Sequence, residues 1–135
     1  MNTTWTELYQ IANETLNPRE VSPFISAGKV ASAILTDKGN IYVGVCIDTS
    51  CNLGMCAERN AIANMITNNE NKITKLVCVM YDGGVISPCG ACREYLMQLH
   101  PDSKDMEILI NLEDNTTVRL SELVPDWWGN PRFQR

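Results

Sequence analysis

The stretch Cys56-Ala57-Glu58, followed later in the chain by Pro88-Cys89-Gly90-Ala91-Cys92, decides how this sequence folds. Each stretch leads into a run of residues with helical periodicity, so both groups of cysteines should stand where a helix begins. Unpaired backbone N–H groups at a helix N-terminus favour negative charge, including that of a thiolate. The sequence therefore predicts two helices whose N-termini lie close together.

The three cysteines of these stretches predict a zinc site. Cys89 and Cys92 lie on one face of a first helical turn, whereas Cys56 comes from the other helix. Three thiolates bind Zn²⁺ and leave one coordination position open for water, and Glu58 follows the first ligand closely enough to move the protons of that water. Such a pattern is typical of a hydrolytic site.

Two arginines accompany the predicted zinc ligands. The negative charge of three thiolates weakens the ability of zinc to acidify water unless neighbouring groups offset that charge. Arg59 stands one turn after Cys56, and Arg93 directly follows Cys92. Both arginines are candidates for this role, and we predict that Arg59 donates a hydrogen bond to a ligand sulfur.

A purely structural zinc site is the alternative, and it needs a fourth protein ligand. Cys51 precedes Cys56 by five residues and is the stronger rival ligand. The single histidine, His100, follows the second site helix, and we expect it to cap that helix or to pack against it. The catalytic interpretation is favoured because a closed structural site would not require Glu58.

The composition predicts one globular domain over residues 1–135. Hydrophobic residues make up 44% and charged residues 20% of the chain, which excludes long disordered segments. No apolar run approaches the roughly 18 residues that span a bilayer, so no membrane partner is expected. The net charge of −5 argues against nucleic acid as a partner and favours a small, near-neutral or cationic substrate. Met1 to Leu16 lacks the pattern of a secretory signal, which favours a cytoplasmic location.

Hydrophobic periodicity predicts the element order α, β, β, α, β, α, β, β, with a short helix near Ser121. The predicted helices cover Thr4–Leu16, Cys56–Thr67 and Pro88–Leu99, and the predicted strands cover Val30–Leu35, Ile41–Ile47, Leu76–Tyr81, Glu107–Asn111 and Thr116–Leu120. Pro18 to Gly28 is expected to be a loop in which Phe24 either lines the site or plugs a surface connector. This alternation favours a mixed sheet with helices on its faces.

The motifs Cys56–Arg59 and Ser87–Glu94 resemble those of the cytidine deaminase family. The likeness extends from about Val30 to Gly129. Within it, three segments are most similar to the blasticidin-S deaminase branch: Val30–Ala33, Ser87–Pro101 and Glu122–Pro125.

The resemblance implies a three-layer α/β/α sandwich with a five-stranded mixed sheet, and a homotetramer whose active sites lie at subunit boundaries. It implies the same three cysteines as zinc ligands and Glu58 as the proton shuttle. It also implies that the peptide groups of Ala57 and Ser87 contact the carbonyl and amino groups of a pyrimidine. The implied reaction is the hydrolytic deamination of a cytosine nucleoside, with release of ammonia.

Departures from the family pattern concern the substrate. Cytidine deaminases carry an Asn-x-Glu stretch that grips ribose hydroxyls, and Val45-Cys46-Ile47 stands at that place here. Asp48 replaces its carboxylate if the loop is shifted by one residue; otherwise it is a solvated turn residue. Trp128 aligns with an aromatic residue near the pyrimidine, and it either stacks on the base or packs with Trp127 between subunits.

The sequence also departs from the pattern of the blasticidin-S deaminase branch at two places. Lys29 stands where a small polar residue is expected, and it either faces solvent or meets an anionic group of a substrate. The turn Asp82-Gly83-Gly84 lacks an expected arginine. The sequence thus predicts a zinc-dependent aminohydrolase acting on cytidine or deoxycytidine. Blasticidin S is an alternative substrate, and a non-catalytic zinc module or a nucleoside-sequestering binder is the alternative of another class.

Overall fold

A computed structural model of the protein describes residues 3–134. The helices are α1 (Trp5–Thr15), α2 (Ala57–Thr67), α3 (Gly90–Met97) and α4 (Leu120–Leu123). The strands are β1 (Arg19–Ser22), β2 (Ile25–Thr36), β3 (Ile41–Thr49), β4 (Ile73–Met80), β5 (Glu107–Asn111) and β6 (Thr116–Arg119). Short 3₁₀ helices cover Pro101–Asp105 and Asn130–Gln134. None of the helices in this part of the chain is long and apolar enough to cross a membrane.

The strands form one mixed sheet around the long strand β2. Strand β2 pairs antiparallel with β3 and β4, β4 pairs parallel with β5, and β5 pairs antiparallel with β6. Strand β1 pairs antiparallel with the start of β2, and Ile25 of β2 has both Ser22 of β1 and Thr49 of β3 as partners. Strand β1 therefore lies on the side of β2 opposite to β3.

The predicted fold class is confirmed, with one strand more than the five that were expected. The segment Pro18 to Gly28, predicted to be a loop, contains β1, a turn at Pro23 and Phe24, and the beginning of β2. Its polar and Pro-containing composition is compatible with a short, exposed edge strand. The prediction was wrong because pairing with β2, rather than local apolar alternation, makes this segment extended.

Helices cover both faces of the sheet. Ala33 and Leu35 of β2 pack in a cluster with α1, while Ile34 between them packs in a second cluster with α2, α3 and α4. In β4, Val77 packs in the cluster with α1, and its neighbour Leu76 packs in the cluster with α2, α3 and α4. Successive side chains of a strand point to opposite faces, so this division gives the three layers of the predicted sandwich.

Helix α2 lies directly against β3, and this contact places the first site helix. A Cβ atom on Gly44 of β3 would lie 2.3 Å from the backbone N of Ala61 and 2.7 Å from the backbone O of Ala57. Any residue larger than glycine would push the helix outward. The buried face of α2, with Ala57, Ala61 and Ile62, is thereby held on the sheet.

Candidate active site

The three predicted ligands lie together at the N-termini of two helices. Cys56 is the N-cap residue of α2, Cys89 is the N-cap residue of α3, and Cys92 lies in the first turn of α3. Their sulfur atoms all lie within 4.8 Å of one another, and the Sγ atoms of Cys56 and Cys89 are 3.7 Å apart. Within residues 3–134, no other cysteine, histidine or carboxylate side chain joins this group.

The sulfur cluster fits a zinc ion in both chemistry and spacing. Zn–S bonds of about 2.3 Å in tetrahedral geometry place two sulfur ligands about 3.8 Å apart. The separation of Cys56 and Cys89 is 3.7 Å. Cys92 is fully buried, whereas Cys89 is exposed and Cys56 is intermediate. The cluster is therefore closed on its inner side and accessible on its outer side.

The two rival ligands of the structural alternative lie elsewhere. Cys51 is exposed, and its Sγ lies 3.3 Å from Thr49 Oγ1. The Nδ1 atom of His100 accepts a hydrogen bond from the backbone N–H of Asp102 at 3.0 Å. His100 thus caps the start of the 3₁₀ helix that follows it and not the end of α3, because its Nδ1 acts as an acceptor whereas the end of a helix offers unpaired carbonyls, which need a donor.

The thiols differ in how easily they lose a proton. Although burial opposes the effect, hydrogen bonds from the backbone and side chain of Cys92 and from Cys56 lower the pKa of Cys89. Burial first, and then the negative charge of Glu58, raise the pKa of Cys92. The exposed sulfur is therefore the more acidic of the two on α3.

Arg59 contacts the cluster from α2. Its Nη2 donates a hydrogen bond to Cys56 Sγ at 3.3 Å. Hydrogen bonds with Cys56 and then Cys92 raise the pKa of Arg59, so the guanidinium remains charged. Arg93 behaves differently, because its Nε donates to the backbone O of Pro88 at 2.8 Å and so ties α3 to the segment that precedes Cys89.

Glu58 lies in the first turn of α2 and is only 4% exposed. It faces Cys78 of β4, which is fully buried. Burial first, and then the charge of Glu58, raise the pKa of the Cys78 thiol, which therefore stays protonated beside the carboxylate. Nothing in the local sequence indicates this contact, since it arises where α2 crosses the sheet.

Phe24 and Asp48 line the same surface cavity of about 430 Å³, together with Glu20, Ser26 and Ser50. Ser50 Oγ donates to the backbone O of Phe24 at 3.1 Å, which joins the β1–β2 turn to the end of β3.

Strand pairing connects the wall of this cavity to the cysteine cluster. The residue before Asp48, Ile47, exchanges backbone hydrogen bonds of 3.0 and 2.9 Å with Met55, and Met55 directly precedes Cys56. Lys29 is exposed.

The remaining predicted residues flank the cluster or lie on α3. Ala57 is buried immediately after Cys56, and Ser87 is exposed two residues before Cys89. Trp128 is 62% exposed, and its indole N–H donates to the carboxylate of Glu94 on α3. Glu94 is part of the family motif but received no role from the sequence, because its two indole partners follow more than thirty residues later.

Comparison with known proteins agrees with this geometry. A family model described as the cytidine and deoxycytidylate deaminase zinc-binding region matches residues 6–106. A cytidine deaminase from Mycobacterium tuberculosis is 33% identical over 101 residues, which cover 74% of this chain and 72% of that protein. A cytidine deaminase from Mycoplasma genitalium is 39% identical over 109 residues, covering 78% and 82% of the two chains. The crystal structure of the Mycobacterium tuberculosis cytidine deaminase is similar with a TM-score of 0.76 and 26% identity, covering 95% of this chain and 99% of that one.

Proposed function

Because this chain belongs to the cytidine and deoxycytidylate deaminase family, we propose that it hydrolyses cytidine or deoxycytidine to the corresponding uracil nucleoside and ammonia. The observation that carries this proposal is the convergence of three cysteine sulfurs, open on their outer side, next to the buried carboxylate of Glu58. A site built only for structure would have no use for that carboxylate, since three thiolates and one further ligand complete a zinc shell.

Cys56, Cys89 and Cys92 hold the zinc ion in this proposal, and Arg59 offsets part of their negative charge. The donor set supports zinc because soft thiolate ligands at this spacing suit its tetrahedral geometry. When bound, the ion supplies the Lewis acidity that makes a water molecule nucleophilic near neutral pH. Arg93 contributes indirectly, by holding the backbone that leads into Cys89.

Glu58 moves the protons of the reaction. It accepts a proton from the attacking water and delivers it to the ring nitrogen next to the amino-bearing carbon of cytosine. The water oxygen bonds to that carbon. Glu58 then takes the second proton of the former water and passes it to the amino group, so that the C–N bond breaks, ammonia leaves and a carbonyl remains. The buried position of Glu58 supports this role, because it keeps bulk water from competing for these protons.

Residues around the sulfur cluster contact the base and the sugar of the substrate. The peptide groups of Ala57 and Ser87 contact the pyrimidine, as the family resemblance implies. Asp48 accepts hydrogen bonds from sugar hydroxyls, with Phe24 against the sugar or base. The shared cavity of Phe24 and Asp48 supports this assignment, since its wall is connected by strand pairing to the residue before Cys56. Trp128 stacks on the flat base.

Assembly and location are further parts of the proposal. A homotetramer in the cytoplasm, serving pyrimidine nucleoside salvage, fits the family resemblance. Several large apolar side chains are strongly exposed in the single chain, among them Phe24 at 70% and Leu53 at 82%, and a subunit boundary would cover them. Sedimentation equilibrium of the purified protein measures the number of subunits directly.

Cytidine is favoured over blasticidin S as the substrate, because the relatives described above are cytidine deaminases. An ammonia-release assay across cytidine, deoxycytidine, cytosine and blasticidin S tests the proposal. We expect turnover of the two nucleosides. The same assay on Glu58→Gln should show a loss of kcat of roughly two to four orders of magnitude, with zinc content retained. Zinc-loaded protein that releases no ammonia from any of the four compounds would instead favour a non-catalytic binder.

A further inference from the structure

The last aromatic residues of the chain are held by a carboxylate on the second site helix. Glu94 lies on α3, two residues beyond Cys92. Both of its carboxylate oxygens lie 3.1 Å from the indole nitrogen of Trp127, and Oε1 accepts the indole N–H of Trp128 at 3.1 Å. Gln98 Nε2 donates to Oε2 at 2.7 Å. One carboxylate therefore accepts hydrogen bonds from three side chains.

The carboxylate of Glu94 is charged in this arrangement. Its three side-chain partners, Gln98, Trp127 and Trp128, are all donors, so this carboxylate serves only as an acceptor. Hydrogen bonds to an ionised acceptor are stronger than those between neutral groups. The two indoles are thus held by charge-assisted contacts.

The two tryptophans differ in exposure: Trp127 is buried and anchors the segment, whereas the ring of Trp128 lies on the surface. Trp127 is 7% exposed and belongs to the core cluster that includes residues of α2, α3 and α4, while Trp128 is 62% exposed. A Cβ atom on Gly129 would lie 2.4 Å from the ring of Trp127, so a glycine is needed where the chain folds back over that ring. The ring centroid of Phe133 lies 5.8 Å from that of Trp127. Trp127 therefore fixes the segment, and Trp128 projects from it.

The exposed ring is nevertheless oriented. The guanidinium of Arg132 lies 5.7 Å from the ring centroid of Trp128, and the indole N–H is bound to Glu94. A cavity of about 170 Å³ opens beside the ring, between Gln98 and Arg132. An untethered surface side chain would sample several rotamers and lose that freedom on binding a ligand, whereas a tethered one has lost it already.

We propose that Glu94 is a positioning residue, which orients the ring of Trp128 relative to the zinc-binding helix so that the substrate base meets a preset stacking surface. This inference rests on the proposed function, in which Trp128 contacts the base. Glu94 itself does not touch substrate or metal. Its effect should therefore appear in binding, through Trp128, and not in the chemical step.

A double-mutant cycle tests the proposal. Glu94→Gln keeps the shape of the side chain but removes the charge and replaces one acceptor oxygen with an NH₂ group. Trp128→Phe keeps an aromatic ring but removes the N–H that Glu94 accepts. Glu122→Gln is the matched control, because it also removes a carboxylate that accepts a hydrogen bond, here from the backbone N–H of Arg119, without touching either indole.

We expect Glu94→Gln to raise KM for cytidine about three- to tenfold, as loss of one orienting hydrogen bond would do, and to change kcat less than about twofold. Trp128→Phe should raise KM in the same way, and Glu94→Gln should add nothing further in that background. Glu122→Gln should leave KM unchanged.

Three outcomes would overturn the proposal. An unchanged KM in Glu94→Gln would show that the tether does not matter for binding. A further rise of KM when Glu94→Gln is added to Trp128→Phe would show that Glu94 acts by another route. A joint loss of kcat and zinc, or a changed subunit number, would assign Glu94 to the structure of α3 or to subunit packing.

Acrylamide quenching of tryptophan fluorescence needs no substrate, so it separates failure of this inference from failure of the proposed function. Trp5 and Trp127 are 8% and 7% exposed, and quenching of the native protein therefore reports mainly on Trp128. Glu94→Gln should increase the quenching constant and Glu122→Gln should not. Equal quenching in all three proteins overturns the tether even if cytidine is not a substrate.

Discussion

Arg59 is the residue whose charge most directly affects the sulfur cluster. It bonds Cys56 Sγ through Nη2 at 3.3 Å, while its Nε is buried without a hydrogen-bond partner among residues 3–134. The pKa of Arg59 is raised first by Cys56 and then by Cys92, which come from different helices. A single guanidinium can thus stabilise two thiolates that the metal must keep close together.

We expect Arg59→Gln to weaken zinc binding about 10- to 100-fold and to lower kcat, because loss of a hydrogen bond to a ligand changes both metal affinity and metal acidity. Competition with a zinc chelator measures the affinity. Arg19→Gln is the matched control, since it removes an exposed guanidinium that donates to the backbone O of Asn17. Equal zinc affinity in both variants would show that Arg59 has no role at the metal.

At the scale of elements, the contact of α2 with β3 through Gly44 determines where Cys56 and Glu58 lie. Gly44→Ala places a methyl group 2.3 Å from the backbone N of Ala61. Backbone atoms on a helix cannot move aside cheaply, so we expect a loss of about 1–3 kcal/mol in the free energy of unfolding, together with reduced activity. Urea denaturation measures the first effect.

Gly90 offers the control for this substitution. A Cβ atom at Gly90 meets no atom within 4 Å. Gly90→Ala should therefore leave the free energy of unfolding unchanged or raise it by up to about 1 kcal/mol, through the reduced freedom of the unfolded chain. If the two alanine variants unfold at the same urea concentration, close packing at Gly44 does not hold α2 in place.

A buried carboxylate joins the end of α2 to the β2–β3 hairpin. Glu70 is 7% exposed, and its Oε2 accepts hydrogen bonds from Tyr42 at 2.5 Å and Asn40 at 2.9 Å. The hydrogen bonds from Tyr42, then Thr36 and Asn40, lower the pKa of Glu70, while the hydrogen bond with Glu70 raises the pKa of Tyr42. The pair therefore contributes to stability over a limited pH range.

The lowered pKa of Glu70 and the raised pKa of Tyr42 determine how stability changes with pH. Glu70 has a lower pKa in the folded state than the unfolded value of about 4.3, so its contribution is present above that pH and is lost as the pH falls through the folded pKa. Tyr42 contributes below its unfolded pKa of about 10, and that contribution is lost as the pH rises through the higher folded value. Urea midpoints between pH 3 and 8 should fall less steeply with acid in Glu70→Gln than in the native protein or in Glu113→Gln, an exposed control. Identical acid slopes would contradict this account.

At the scale of the whole molecule, a zinc ion held by the three cysteines would link two helices that the chain separates by strand β4. Cys56 belongs to α2, and Cys89 and Cys92 belong to α3. We expect chelation of zinc to abolish activity and to lower the melting temperature, because a metal that binds only the folded state stabilises that state. Activity and melting temperature should both recover on adding Zn²⁺.

Cys51→Ala is the control for the metal assignment. The thiol of Cys51 is exposed and lies outside the sulfur cluster. The Cys51→Ala variant should therefore bind as much zinc as the native protein and melt at the same temperature. Loss of zinc from Cys51→Ala would mean that a fourth protein ligand closes the metal site, and it would argue against hydrolysis.

Local patterns in the sequence were sufficient to predict most elements and the three cysteines that lie together in the structure. The periodicity of α1 and α2, the turns after β2 and β4, and the three-residue spacing of Cys89 and Cys92 depend on interactions within one or two turns of chain. The same spacing places two sulfurs on one helical face whatever the rest of the fold does. For this reason the cysteine cluster and a mixed sheet with helices on its faces followed from the residues, whereas the three-layer sandwich was implied by the family resemblance.

Contacts between distant parts of the chain were decided only by the tertiary structure. Strand β1 forms because β2 offers a pairing edge, Cys78 meets Glu58 because α2 packs on the sheet that contains β4, and Glu94 meets Trp127 and Trp128 because the chain folds back onto α3. The Cys78 and Glu94 contacts join residues that lie further apart in the chain than the period of any local pattern. The β1–β2 hairpin is short, but there backbone pairing overrides side-chain composition. Sequence periodicity records which face of an element is buried, but not which partner covers it, and that choice depends on how the layers pack.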